Sequence, residues 1–186
     1  MLKVLTKGCE PTRGSKYSAC VDLYASEDVV IGAGETRLVG LGVSIDIDHI
    51  EKIYYKDRKH HNRMFDFGHF VRSHYLQLML RSSLGKKGLI LPNGVGIIDL
   101  DYRDEIKMII HNPIRLVDYD ISDNMMFQYS AVDDRIYDQS NAKYANDYTI
   151  NSGDKIAQIT MIEHKSYLFG IDTDKERDGG FGSTGG

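Results

Sequence analysis

Residues 76–85 read LQLMLRSSLG. Leu76, Leu78 and Leu80 alternate with Gln77, Met79 and Arg81, a period of two that gives a strand one apolar and one polar face. The alternation ends at Arg81, and Arg81-Ser82-Ser83-Leu84-Gly85 has the composition of a turn into a short helix. The same period runs outward along the chain. Ile106, Met108 and Ile110 alternate with Glu105, Lys107 and His111, and Val43-Ser44-Ile45-Asp46-Ile47-Asp48 reads as a strand with one wet face. Ile156 to Ile162 is apolar on both faces, as in a buried strand. Gly32-Ala33-Gly34 and Asn151-Ser152-Gly153-Asp154 are turn signals between such runs. No stretch has a long, well-capped helical period. The expectation is an all-β sandwich or barrel with one short helix near residues 83–87.

Composition agrees. The chain has 186 residues, 41% hydrophobic and 27% charged, with a net charge of −4. That suits one domain with its own core and excludes a collagen, a disulfide scaffold and a membrane span. Mild acidity argues against a general grip on nucleic acid, which needs a basic face. Cys9 and Cys20 are too few for a disulfide framework or a zinc site, so reduced thiols and a cytoplasmic setting are expected. The segment MLKVLTKGCEPTRG lacks the apolar core of a signal peptide.

Two segments break the rhythm and read as insertions within one domain spanning 1–186. Residues 49–74 are basic, aromatic and histidine-rich, and residues 118–148 are acidic and tyrosine-rich. His60, His61, His69 and His74 fit no familiar zinc spacing, so a solvated basic loop is favoured over a metal site. Tyr119, Tyr129, Tyr137, Tyr144 and Tyr148 suit a protein-binding surface, but docking of the loop on its own body is favoured.

Several clusters have chemical potential. Arg81, Ser82 and Ser83 combine a cation, two hydroxyls and a helix start, a natural anion site; the plainer alternative is a serine N-cap. Asn93-Gly94 signals a hairpin whose bare backbone suits the edge of a planar ligand. Asp99 follows a hydrophobic run, where a carboxylate can orient or deprotonate water. Asp22 and Gln158 are polar residues inside apolar strands and need partners. The glycine-rich arm at 177–186, RDGGFGSTGG, can wrap phosphates with backbone N–H groups, Ser183, Thr184 and Arg177, while Phe181 offers a surface for a base.

Five segments stand in one order along the chain: ACVDLYA (19–25), RSSLG (81–85), NGVGIIDLDYRDE (93–105), GDKIAQ (153–158) and GGFGSTGG (179–186). Together they closely resemble the five motifs of the trimeric dUTPases, in a form with phage-type insertions. The resemblance implies a jelly-roll homotrimer whose active sites are shared between subunits. It implies hydrolysis of dUTP to dUMP and pyrophosphate, which limits uracil in DNA and supplies dUMP for thymidylate synthesis.

By the same resemblance Asp99 activates the water that attacks the α-phosphate, and Tyr102 packs on the deoxyribose. Asn93, Gly96 and Ile98 belong to the segment that reads uracil. Arg81, Ser82 and Ser83 hold the phosphate chain, and Gln158 contacts the α-phosphate. The arm closes with Phe181 on the base and Gly182, Ser183, Thr184 and Arg177 toward the phosphates. Mg²⁺ is implied, held mainly by substrate phosphates and supported by Asp22, through water. Departures from the pattern are Cys20 and Val21, Asp104, and the spacing of Arg177, one residue nearer Phe181 than is usual, with Lys175 as a substitute. The rival readings are a dCTP deaminase of the same fold and a regulatory protein that binds a partner through its insertions.

Overall fold

The computed structural model describes residues 1–57, 67–114, 116–119, 127–130, 136–138 and 147–171. Its strands are β1 (Leu2–Val4), β2 (Val21–Tyr24), β3 (Val29–Ile31), β4 (Thr36–Gly40), β5 (Val43–Ile45), β6 (His74–Leu80), β7 (Gly96–Asp99) and β8 (Lys107–His111). They continue with β9 (Leu116–Tyr119), β10 (Phe127–Ser130), β11 (Ile136–Asp138), β12 (Tyr148–Ile150) and β13 (Lys155–Glu163). The helices are α1 (Ile47–Asp57), α2 (Phe67–Ser73) and the single turn α3 (Ser82–Gly85), with a 3-10 turn at Ser166–Phe169. The fold is therefore mainly β, as the alternation requires.

A four-stranded sheet in the order β2-β13-β6-β7 forms the frame, and every pairing in it is antiparallel. Strand β13 lies between β2 and β6, which explains an apolar run on both faces: Ile156, Ala157 and Ile159 are buried. On β6 the leucines at even positions turn inward, and Leu76 and Leu78 are buried while Gln77 and Met79 are not. The pairs β4-β8, β3-β12 and β1-β5 complete the wall of the core. Val39, Leu41, Met108, Ile110 and Ile150 fill it from these pairs. Burying each such side chain contributes about 2 kcal/mol.

Four local expectations are corrected. The strand expected over 43–48 ends at Ile45, and all three of its residues, Ser44 included, are buried rather than one-faced. Asp46 instead caps α1: its carboxylate accepts the His49 N–H at 2.9 Å, and its carbonyl accepts the Ile50 N–H. The sequence signal was the cap followed by Ile47, Ile50 and Tyr54 at helical spacing; Ile50 is buried and Ile47 packs on the core. The 49–74 segment is thus not a solvated loop over its described part. In α2, Phe67, Phe70 and Val71 pack against the core, and Tyr54 meets Phe70 with ring centroids 5.0 Å apart.

The histidines there are packed as well: the His74 ring stacks on Phe70, and His69 meets Tyr167 edge-on. His60 and His61 lie outside the described residues. The other two corrections concern the turns beside the site. Asn93-Gly94 forms a turn, with Gly94 at φ 73° and its N–H donated to the Leu91 carbonyl, but not a hairpin. The flanks separate, since Ile90 bridges to His111 while β7 pairs with β6. Nor does either serine cap α3. The capping position is Arg81, and its side chain makes no capping bond. The acidic 118–148 segment contributes a separate antiparallel meander, β11-β10-β9, and its last residue, Tyr148, already belongs to the core pair β3-β12.

Candidate active site

Cross-strand register decides which site residues meet. Gln158 on β13 stands opposite Asp22 on β2 and Met79 on β6, so the three share one face of the sheet. Arg81 continues that row two residues beyond Met79, and its N–H donates to the Ile156 carbonyl at 3.0 Å. At this end of the sheet Asp22 is buried, and it is ionically satisfied. Arg81 Nη1 donates to Asp22 Oδ1 in a short contact, and Lys155 Nζ lies 3.5 Å from Asp22 Oδ2. Arg81 Nε is buried without a hydrogen-bond acceptor among the described residues. Ser82 and Ser83 are exposed beside this cluster, on the first turn of α3.

Asp22 was expected to support a metal. Both of its oxygens face cations, and among the described residues no group of three His, Cys, Asp or Glu side chains converges as a metal site. That donor set suits an organiser of positive charge and does not fit direct ligation of Mg²⁺, which takes open carboxylate oxygens; the expected support through water involves no such ligation.

The second part of the site lies at the far end of β6. Asp99 ends β7 opposite Tyr75, six residues along the chain from Arg81. At a strand rise near 3.3 Å that is about 20 Å. Asp99 is exposed, Asn93 is exposed in its turn, and Gly96 and Ile98 are half-buried. Tyr102 is held in a turn by its N–H to the Asp99 carbonyl at 3.1 Å. Its ring joins the core and its hydroxyl donates to the Glu105 carbonyl at 3.1 Å, leaving only 7% of the residue exposed. Glu105 itself is fixed by the Gly42 N–H and the Ser26 hydroxyl. The turn that presents Asp99 is therefore anchored to the barrel. Arg177, Phe181, Gly182, Ser183 and Thr184 lie outside the described residues, as does Lys175.

Two residues near the site were not singled out from sequence. Lys155 is one; the signal was its place inside GDKIAQ. Lys87 is the other: its ammonium donates to the Tyr148 hydroxyl at 2.9 Å and lies over the same ring. That hydrogen bond, then the Tyr148 charge, holds the Lys87 pKa above the ordinary lysine value. It ties the segment after α3 to the first residue of β12. Cys9 is buried with its thiol toward the Ala25 carbonyl, and burial, followed by the charges of Glu10 and Glu105, pushes its pKa up.

No protein-family model matches the chain. Curated proteins do. It is 30% identical to the deoxyuridine 5'-triphosphate nucleotidohydrolase of Debaryomyces hansenii over 181 residues, covering 94% of this chain and 79% of that enzyme. It is 27% identical to the enzyme of the same name from Variola virus, over 99% of this chain and 90% of the viral protein. Among solved structures, a variant of the dUTPase from phage phi11 of Staphylococcus aureus, described for its coordination of a structural Mg(II) ion, matches with a TM-score of 0.56 at 19% identity. That match covers 98% of each chain and shows the same jelly-roll β fold.

Proposed function

The chain belongs to the deoxyuridine 5'-triphosphate nucleotidohydrolase family, and on that premise we propose that it hydrolyses dUTP to dUMP and pyrophosphate. The observation that carries the reading is the cation cluster at the end of β6, where one buried carboxylate holds Arg81 and Lys155 beside two exposed hydroxyls. Such a place suits a phosphate chain, because charge-assisted donors bind phosphate oxygens more strongly than neutral ones.

In this reading Arg81, Ser82 and Ser83 receive the phosphate chain and Gln158 the α-phosphate. Asp99 takes a proton from water as its oxygen attacks the α-phosphorus. The bond from that phosphorus to the α–β bridging oxygen breaks, and pyrophosphate leaves. Asn93, Gly96 and Ile98 lie along the uracil edge and Tyr102 beneath the sugar. Phe181, Gly182, Ser183, Thr184 and Arg177 close over the nucleotide. No covalent nucleophile is required, since phosphoryl transfer is mainly a matter of positioning and charge. Mg²⁺ would come with the substrate phosphates, with Asp22 supporting it only through water, and would supply neutralisation of the phosphate charge.

A homotrimer with shared sites belongs to the same proposal. The separation of about 20 Å along β6 between Asp99 and Arg81 supports it, because one chain does not bring both ends to one phosphorus. A cytoplasmic setting, that of the host if the chain is phage-encoded, is proposed with it. Among the described residues no helix is long and apolar enough to cross a membrane. For the 118–148 insertion, docking on its own body is the favoured role, and a surface for a protein partner is the alternative.

The decisive experiment is product analysis across the deoxynucleoside triphosphates with and without Mg²⁺. Release of dUMP and pyrophosphate from dUTP alone is expected; ammonia from dCTP would overturn the assignment in favour of a deaminase.

A further inference from the structure

We infer that Lys155 is a second phosphate-binding cation of this site, brought there by a bulge in β13 and held in place by Asp22. The inference rests on the reading of the site as one for a nucleoside triphosphate.

In a regular antiparallel ladder, residues three apart on one strand face opposite sides of the sheet. Gln158 stands opposite Asp22, so an unbroken β13 would send Lys155 to the other face. The ladder is not unbroken. Lys155 pairs with Tyr24 and Ala157 with Leu23, so β13 uses two steps where β2 uses one. The extra residue reverses the alternation and places Lys155 on the face shared by Tyr24, Asp22 and Gln158. Its ammonium accordingly reaches Asp22 and lies 5.7 Å from the centre of the Tyr24 ring. Bulges of this kind are enriched next to active sites because they re-aim a side chain.

The charges then do not balance. Among the described residues two cations share one carboxylate, which leaves one unit of positive charge in the cluster. The Asp22 side chain is 7% exposed, while those of Arg81 and Lys155 are 31% and 47% exposed. The surplus therefore faces solvent, at the end of the sheet where Arg81 leads into Ser82 and Ser83. A structural ion pair would need one cation. The second is satisfied by an anion, and with Arg81 Nε also lacking an acceptor the donors are spread enough to take a chain of phosphates. Asp22 keeps both cations in position before the ligand arrives, so little ordering is left for the binding step.

Inorganic pyrophosphate is the probe, titrated by calorimetry into the full-length protein. Lys155→Gln is expected to weaken its binding about tenfold, while Lys155→Arg stays within about threefold. Lys165→Gln, an exposed lysine beyond the opposite end of β13, is expected to leave the affinity unchanged. Thermal unfolding checks each variant, and Lys155→Met repeats the measurement should the glutamine variant fail to fold. Unchanged affinity in Lys155→Gln, equal weakening in Lys165→Gln, or an arginine variant as weak as the glutamine one would each overturn the inference. If the unaltered protein fails to hydrolyse dUTP while pyrophosphate still depends on Lys155, the substrate assignment falls and the phosphate site stands. Normal hydrolysis with Lys155 indifferent removes this inference alone.

Discussion

Near each end of β6 another strand of the sheet carries an aspartate, Asp22 on β2 and Asp99 on β7, and the two have opposite settings. Asp22, across β13 from the Arg81 end, is buried and fixed between Arg81 and Lys155. Asp99, opposite Tyr75 at the other end, is exposed on a turn anchored through Tyr102 and Glu105. One carboxylate spends its charge inside the protein, arranging cations. The other is exposed, as its proposed role of taking a proton from water requires. What differs is the surroundings: burial between two cations in one case, an exposed strand end in the other.

The largest effect should come from breaking the outward end. Asp99→Asn keeps the shape and removes the proposed base, so kcat is expected to fall at least about 10³-fold while binding of a non-hydrolysable dUTP analogue persists. Undiminished turnover would show that the contrast between the aspartates has been misassigned. Next comes the spacer between the ends. Leu78→Ala removes a buried side chain from β6 and should cost about 3 kcal/mol in urea unfolding, against about zero for Gln77→Ala on the outer face.

Asp22→Asn should destabilise by about 2 kcal/mol. That is less than a fully buried pair would lose, because both cations reach solvent and are screened. It should also raise KM for dUTP more than it lowers kcat, the reverse of Asp99→Asn; the same kinetic pattern in both variants would dissolve the comparison.

The smallest effect concerns the thiols. Since burial raises the Cys9 pKa, the unfolded chain releases its thiol proton first as pH rises above the ordinary value near 9.0. The folded state then binds more protons than the unfolded one, so stability declines with pH from that value up to the raised one. Cys9→Ala should flatten that alkaline decline in a series of unfolding midpoints. Half-buried Cys20 should react with a thiol reagent faster than buried Cys9 in the folded protein.

Much of this was readable in the residues. Alternation at Leu76 to Arg81 and at Ile106 to His111 specifies strands because a period of two has one way to bury its apolar half. The five ordered segments specify the family, and with it the places to look for chemistry. Reading by alternation failed at Ile47-Asp48. A cap and the first turn of a helix share a polar–apolar pattern with a strand over so few residues, and only the longer spacing through Ile50 and Tyr54 separates them. It failed again at Asn93-Gly94, where the turn formed but its flanks found partners in different sheets.

The sequence by itself determined that this is a β domain of the dUTPase family, with its aspartates, arginine and serines at defined positions. It could not show that Asp22 faces two cations, that Asp99 and Arg81 stand at opposite ends of one strand, or that Lys155 shares a face with Gln158. Those facts follow from register, and register is a property of paired strands. One extra residue in β13 reverses which side of the sheet a lysine occupies, and nothing in the local order of Gly153-Asp154-Lys155-Ile156-Ala157-Gln158 records on which strand the extra residue falls.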